Sequence, residues 1–153
     1  YYYASTLTLT NADSEYAHAN GLSDLEGAKC TSQLNTCWYH TCLPQIKNAD
    51  ILPAMDTAPN MLVALNSKTV DLVVTDMPTA MAALQVYPNM KLLDFTGSED
   101  NFEVSDEEIN IGISVKKGNS ELLEKINNVL KNYTAEDFEN MMDEAIKVQP
   151  LSE

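Results

Sequence analysis

Along this chain the hydrophobic period switches repeatedly between about 2 and about 3.6 residues, so strands must alternate with helices. Leu7 and Leu9 alternate with Thr6, Thr8 and Thr10, a strand pattern. AKCTSQ (28–33) is a second, short strand, and Ile51 to Met55 is a third. VDLVVTD (70–76) is the most strand-like run and ends at Asp76; MKLLDF (90–95) and INIGISV (109–115) follow. Between them, Thr36 caps a helix running through Trp38, Tyr39 and Leu43 until Pro44 disturbs it. Pro59 sits in the first turn of a helix with Met61, Leu62 and Leu65 inward, and Pro78 opens another through Met81, Leu84 and Gln85.

The segment 13–27 is polar and turn-rich, with a short helical turn at Ser23 to Glu26, and Ser98 to Glu108 is an acidic loop. The tail carries two amphipathic helices. Leu122, Leu123, Ile126, Val129 and Leu130 form the stripe of the first. Thr134 and Asp137 start the second, whose stripe is Phe138, Met141, Met142, Ala145 and Ile146 and whose stop is Gln149-Pro150. This order predicts an α/β fold with a mixed, mostly parallel sheet and flanking helices. Ligands of such sheets bind beyond the carboxyl ends of strands, where loops meet helix N-termini. Gln33 to Cys37 and Thr75 to Thr79 fit that position best.

The charge balance excludes one class of partner. With 9 Lys+Arg against 23 Asp+Glu, the net charge of −14 opposes a nucleic-acid binder, which must neutralise phosphates with clustered cations. Every basic residue is Lys, so the usual bidentate carboxylate clamp, Arg, is absent. No stretch is apolar enough to span a bilayer, and no signal peptide is visible at YYYASTLTLT. The lack of an initiating Met suggests a processed, engineered or truncated chain.

SQLNTCW (32–38) places short polar residues between a strand and a helix start, whose free N–H groups hold an anion without a basic side chain. The Thr36 hydroxyl either caps that helix or donates to the anion, and capping is the plainer reading. Asp76 ends an apolar strand, where a carboxylate needs compensation from a backbone N–H or a ligand ammonium. Together the two junctions suit a zwitterion. Cys37, His40 and Cys42 match no strong zinc signature, so no metal and no cofactor are expected. Three cysteines cannot all pair in one chain, and Cys37 and Cys42 are badly spaced for a bridge on a helix. Met141 and Met142 are core positions, and Asn132-Tyr133-Thr134 fits a glycosylation sequon without other support. His18 lies in a polar loop as a surface residue, and no catalytic fingerprint is present, so no enzyme is expected.

GLSDLEGAKCTSQLNT (21–36) resembles a conserved-spacing run, "sL-x-DL-x-G-x-x-v-x-x-Q-x-G-T", of the polar amino-acid substrate-binding proteins of ABC importers. VDLVVTDMPTA resembles that family's "G-x-v-D-a-v-v-x-D-x-p-x-A" run, INIGISVKKGNSELLEKIN its return strand and helix, and YYYASTLTLT its approach to the first hinge. The resemblance implies one lobe of a two-lobed, type II periplasmic-binding-protein fold that closes on an amino acid. It implies a hinge strand at 1–10, a second lobe at 11–106, a return hinge at 107–117, and tail helices at 118–153 that pack on a first lobe missing here. That lobe would come from residues before Tyr1 or from a second chain, and would carry the family's carboxylate-gripping Arg.

Carried over by position, the ligand-binding residues are Gln33, Asn35, Thr36 and Cys37 (backbone) in the "Q-x-G-T" loop, with Thr75 and Asp76 after the lobe's last strand. Asp76 falls at the ammonium position. Asn35 replaces the usual Gly, although Asn tolerates the left-handed backbone better than most residues. The implied partners are a free amino acid and an ABC permease; the implied location is periplasmic or extracellular, as a lipoprotein of a Gram-positive bacterium. The alternatives are a dehydratase of small carboxylic acids on the same fold, or a ligand-sensing receptor domain.

Overall fold

The computed structural model describes residues 1–148. The chain opens with β1 (Tyr2–Tyr3) and β2 (Thr6–Asn11), then two 3₁₀ turns and β3 (Lys29–Thr31). After a wide helical segment come β4 (Asp50–Ile51), α1 (Ala58–Asn66), β5 (Leu72–Asp76), α2 (Met77–Val86) and β6 (Met90–Leu93). A short α3 (Asp106–Ile109) leads to β7 (Asn110–Ile111), and α4 (Ser120–Leu130) and α5 (Ala135–Val148) complete the described chain.

Five strands form one sheet in the order β4-β3-β5-β2-β6. β3 pairs in parallel with both β4 and β5, whereas β2 pairs antiparallel with β5 and β6. The sheet is therefore mixed, with β2 alone running against the other four. β1 and β7 pair antiparallel outside this sheet. Residues 1–10 thus divide, with Tyr2–Tyr3 in the outer pair and Thr6 onward in the middle of the sheet.

Side chains alternate across the sheet. Leu7, Leu9 and Val73 face α1 and α2, meeting Met61, Leu62, Leu65, Ala80 and Ala83. Asn11 caps this layer by donating to the Leu65 carbonyl at 2.7 Å. Leu72 and Val74 face the other way, onto Leu25, Cys30, Cys42, Leu43, Phe95 and Phe102. That second face is covered by short 3₁₀ and wide-turn segments and the 95–102 stretch, while α1 and α2 flank the first.

The helix expected from Thr36 is instead a π-helix over Trp38–Cys42 followed by a 3₁₀ turn over Leu43–Gln45. Its closing bond runs from the Leu43 N–H to the Trp38 carbonyl, five residues back. Pro44 has no N–H with which to continue either kind of ladder. The acidic loop holds one ordered turn, α3, fastened by a capping box in which Glu108 accepts from the Ser105 hydroxyl at 2.8 Å and from its N–H at 3.2 Å. Only Asn110–Ile111 of INIGISV keeps strand pairing.

Both tail helices form where their stripes predict. α4 buries none of its residues, and Leu122, Leu123 and Val129 stay exposed. α5 lies against α2, and Phe138 packs between the rings of Tyr1 and Tyr133 with centroids 5.2 and 5.7 Å apart. The Ile146 side chain and the Gln149-Pro150 stop lie outside the described residues. No helix among the described residues is long and apolar enough to cross a membrane.

Candidate functional site

Two strand-to-helix junctions leave the sheet side by side. β3 and β5 are parallel neighbours in the register Cys30↔Leu72 and Thr31↔Val73, so their carboxyl ends reach the same edge. Just beyond β3, the Ser32 hydroxyl donates to the Val74 carbonyl at 2.7 Å, tying the two chains at the point of exit. Gln33 then bridges in parallel to Met55.

Past Gln33 the chain turns sharply through Asn35, whose φ is 61°. This is the left-handed region that Gly enters freely and that Asn tolerates through its short polar side chain. Asn35→Ala is expected to lower stability by about 1–2 kcal/mol and Asn35→Gly to leave it nearly unchanged. Denaturant midpoints of the two variants check this, and equal midpoints would remove the backbone reason for Asn at this turn.

Thr36 serves its own loop. Its hydroxyl donates to the Gln33 carbonyl at 2.7 Å and accepts the Tyr39 N–H at 3.3 Å. Capping therefore occupies that hydroxyl, as the plainer sequence reading has it. Cys37 follows, partly buried at the start of the π-helix.

Asp76 caps α2, its Oδ1 accepting the Thr79 N–H at 2.7 Å. Pro78 in the first turn donates nothing, which suits a position where N–H groups lack helical partners. Among the described residues the second carboxylate oxygen has no hydrogen-bond donor, and no lysine pairs with Asp76. The four ion pairs among the described residues are all exposed surface contacts elsewhere. A half-buried carboxylate with one oxygen uncommitted and no protein cation is chemically suited to an incoming ammonium.

Thr75 is 3% exposed and shares the face of Val73, pointing into the α1–α2 layer. The six candidates therefore separate. Gln33, Asn35, Thr36, Cys37 and Asp76 share one edge of the sheet, and the Thr75 side chain is turned into the core beneath them.

Two carboxylates, Glu108 and Asp76, act on this edge. Burial pushes the Cys37 thiol pKa up, and the carboxylates of Glu108 and, more weakly, Asp76 push it further, which places both within electrostatic reach of Cys37. Glu108 reaches this edge because it accepts a hydrogen bond from the Thr41 hydroxyl on the π-helix. That bond and those from Ser105 hold the Glu108 carboxyl below its ordinary range. The capping box at Ser105 and Glu108 is readable in SDEE (105–108), but its meeting with Thr41, 67 residues away, is a tertiary fact.

Among the described residues no group of three or more His, Cys, Asp and Glu side chains gathers as a metal site. His40 is exposed while Cys42 is fully buried, so the wide helix turns these side chains into different surroundings. Cys30, Cys37 and Cys42 are all free thiols.

Burial raises the Cys30 and Cys42 thiols to about 12. Below the ordinary thiol value of 9.0, an alkylating reagent is expected to label Cys37 first and the other two only on unfolding. Mass spectrometry of the native protein checks the order; simultaneous labelling of all three would mean that the second core layer is open. Because the folded values lie above the unfolded ones, the contribution of these thiols is complete below 9.0 and is lost progressively as pH rises toward about 12. The denaturation midpoint is accordingly expected to fall across that alkaline window.

No protein-family model and no curated protein sequence matches this chain. Solved structures do. AbpA from Streptococcus pneumoniae, an amino acid ABC transporter substrate-binding protein bound to L-arginine, superposes with a TM-score of 0.71 at 19% identity over 96% of this chain and 59% of its own. Truncated ArgBP from T. maritima in its arginine-bound form gives 0.66 at 23%, covering 86% of this chain and 57% of its own. An ancestral arginine-binding protein bound to glutamine gives 0.63 at 27%, covering 95% and 59%. The chain thus has the fold of the substrate-binding proteins of amino-acid ABC transporters, the family whose runs its sequence resembles. It spans under two thirds of their length, and its α/β unit corresponds to part of a two-lobed architecture.

Proposed function

We propose that this chain is the second-lobe portion of an amino-acid-binding component of an ABC import system. The observation that carries the reading is the neighbouring exit of β3 and β5 from one sheet edge, with Asp76 presenting a carboxylate oxygen that accepts no hydrogen bond among the described residues. In this reading Asp76 takes the ligand ammonium, and the Gln33–Cys37 loop lies along the same side of the ligand. The side chain of Thr75 supports that floor from within. The neighbours' arginine and glutamine ligands favour a free amino acid as solute.

The carboxylate end of the ligand falls to a first lobe, supplied by residues before Tyr1 or by a second chain, since this sequence offers no Arg. Tyr2–Tyr3 and Asn110–Ile111, paired antiparallel, would be the two crossings between lobes, with 11–106 as the second lobe and 118–153 packing on the first. Closure would follow from a ligand touching both lobes only when they meet, and the closed form is what the permease would receive. Such a protein works outside the cytoplasmic membrane, in the periplasm or as a lipoprotein on a Gram-positive surface. It binds and does not turn its ligand over.

Isothermal calorimetry of the protein as encoded, against each common amino acid, tests this. The expected result is saturable heat with at least one of them and unaltered ligand recovered afterwards. No heat with any amino acid would sink the reading, and recovery of a dehydrated product would turn it toward an enzyme.

A further inference from the structure

The acidic stretch 98–108 is fastened to the wide helix at two points. Glu108 uses both carboxylate oxygens: Oε1 accepts the Thr41 hydroxyl, and Oε2 accepts the Ser105 hydroxyl and N–H. Gln45 makes the second fastening with its side-chain amide. Its Oε1 accepts the Glu103 N–H at 2.8 Å, and its Nε2 donates to the Glu103 carbonyl at 2.8 Å and to the Thr41 carbonyl at 2.9 Å. Thr41 is thus held through its side chain and through its backbone. The two fastenings join residues 67 and 58 positions apart in the chain.

Each end of this clasp leads to a part of the molecule with a role. Thr41 lies in the π-helix Trp38–Cys42, which begins directly after the Gln33–Cys37 loop. Glu108 lies near the end of α3, two residues before β7. The Ile109 carbonyl between them accepts the Ala4 N–H at 2.9 Å, and β7 pairs with β1. A bonded path therefore runs from the loop to both strands read above as crossings. A π-turn is rare in isolation, and Pro44 cannot extend its ladder, so this helix depends on contacts from outside itself. Cys42 and Leu43 secure its buried side, and the clasp secures the other. A hydroxyl bonded to a carboxylate is charge-assisted, and bonds that share a residue reinforce one another.

We propose, resting on the amino-acid-binding reading above, that Thr41, Gln45 and Glu108 are positioning residues whose clasp sets the orientation of the Gln33–Cys37 loop relative to the crossings. None of the three is assigned a contact with the amino acid. Without the clasp the wide turn is free to tighten toward the ordinary helical register, which changes the direction in which the loop meets it. A loop held in its binding orientation loses less order when a ligand arrives, so the clasp acts on affinity.

Calorimetric titration of the protein as encoded, and of Thr41→Val and Thr41→Ser, with L-arginine, L-glutamine and each other common amino acid tests this. Thr41→Val keeps the shape of the side chain and every charge, and removes only the hydroxyl. It is expected to keep its circular dichroism spectrum and to bind the amino acids of the native protein about tenfold more weakly, whereas Thr41→Ser stays within about twofold. Glu108→Ala breaks the same bond, so the double variant T41V/E108A should bind no more weakly than E108A alone. Hydrogen exchange of the amides of residues 36–43 should quicken in Thr41→Val and return to the native rate in Thr41→Ser. A clasp that only stabilised the fold would lower the melting temperature of Thr41→Val and leave its affinity unmoved. Unchanged affinity or unchanged exchange in Thr41→Val, or losses that multiply in the double variant, overturns the positioning role and leaves the amino-acid reading standing. Failure of the native protein to bind any amino acid overturns both together.

Discussion

Asp76→Ala is expected to weaken amino-acid binding by at least about 100-fold, while lowering stability by only about 1 kcal/mol. The two effects come from the two oxygens of one carboxylate. Oδ1 holds the Thr79 N–H at 2.7 Å as the cap of α2, and loss of such a cap has the smaller figure. The other oxygen has no protein partner among the described residues, so its loss is felt only when a ligand cation arrives. Asp76→Asn separates the roles, because Asn caps a helix about as well as Asp but carries no charge. It should retain native stability and still lose most of the affinity. Calorimetry paired with thermal unfolding of both variants reads the two quantities. Undiminished binding in Asp76→Asn would reduce Asp76 to a helix cap and nothing more.

Leu72→Ala is expected to destabilise the fold by about 3 kcal/mol, lowering the melting temperature of a chain this size by about 9 °C. Leu72 is fully buried at the start of β5, paired with Thr10 on one side and Cys30 on the other. Its side chain belongs to the layer of Leu25, Leu43, Phe95 and Phe102, where short segments close the core and leave a truncated side chain's space hard to refill. Leu122→Ala on α4 provides the contrast. Leu122 is 43% exposed, so the same truncation is expected to change stability by no more than about 0.5 kcal/mol. A large loss at Leu122 would show that another polypeptide covers the α4 stripe, and would itself report the partner that the function above requires.

Much of the local structure was legible because its causes are local. Pro59 and Pro78 lie in the first turns of α1 and α2, where a missing N–H is harmless. LVVTD is a strand because its β-branched, apolar residues fit a sheet buried on both faces. Asn35 sits in the left-handed conformation that its place in a Gly-favouring turn implied. The tail helices follow their stripes, since a helical period is written in the order of residues.

Other features could not be read along the chain. The alternation of Leu7 and Leu9 with threonines marks a strand, but Thr8 and Thr10 are as buried as the leucines because a second core layer lies against them. The reversed direction of β2 within the sheet is equally invisible, since a strand's pattern reads the same both ways. The widened helix over Trp38–Cys42 depends on the packing of Cys42 and Leu43 under β5 as well as on Pro44.

The candidate site divides in the same way. Sequence alone marked two polar strand ends followed by helix starts, because strand termination, capping and turn chemistry each depend on a few consecutive residues. It also marked the resemblance that gives those ends a purpose. Only the tertiary structure made β3 and β5 neighbours, turned Thr75 into the core while leaving Asp76 half-buried, and tied Glu108 to Thr41 on the π-helix that follows the β3 junction. Strand order and side-chain direction are fixed by contacts between residues far apart in the chain, whose energies depend on the whole packed arrangement and on no single stretch of it.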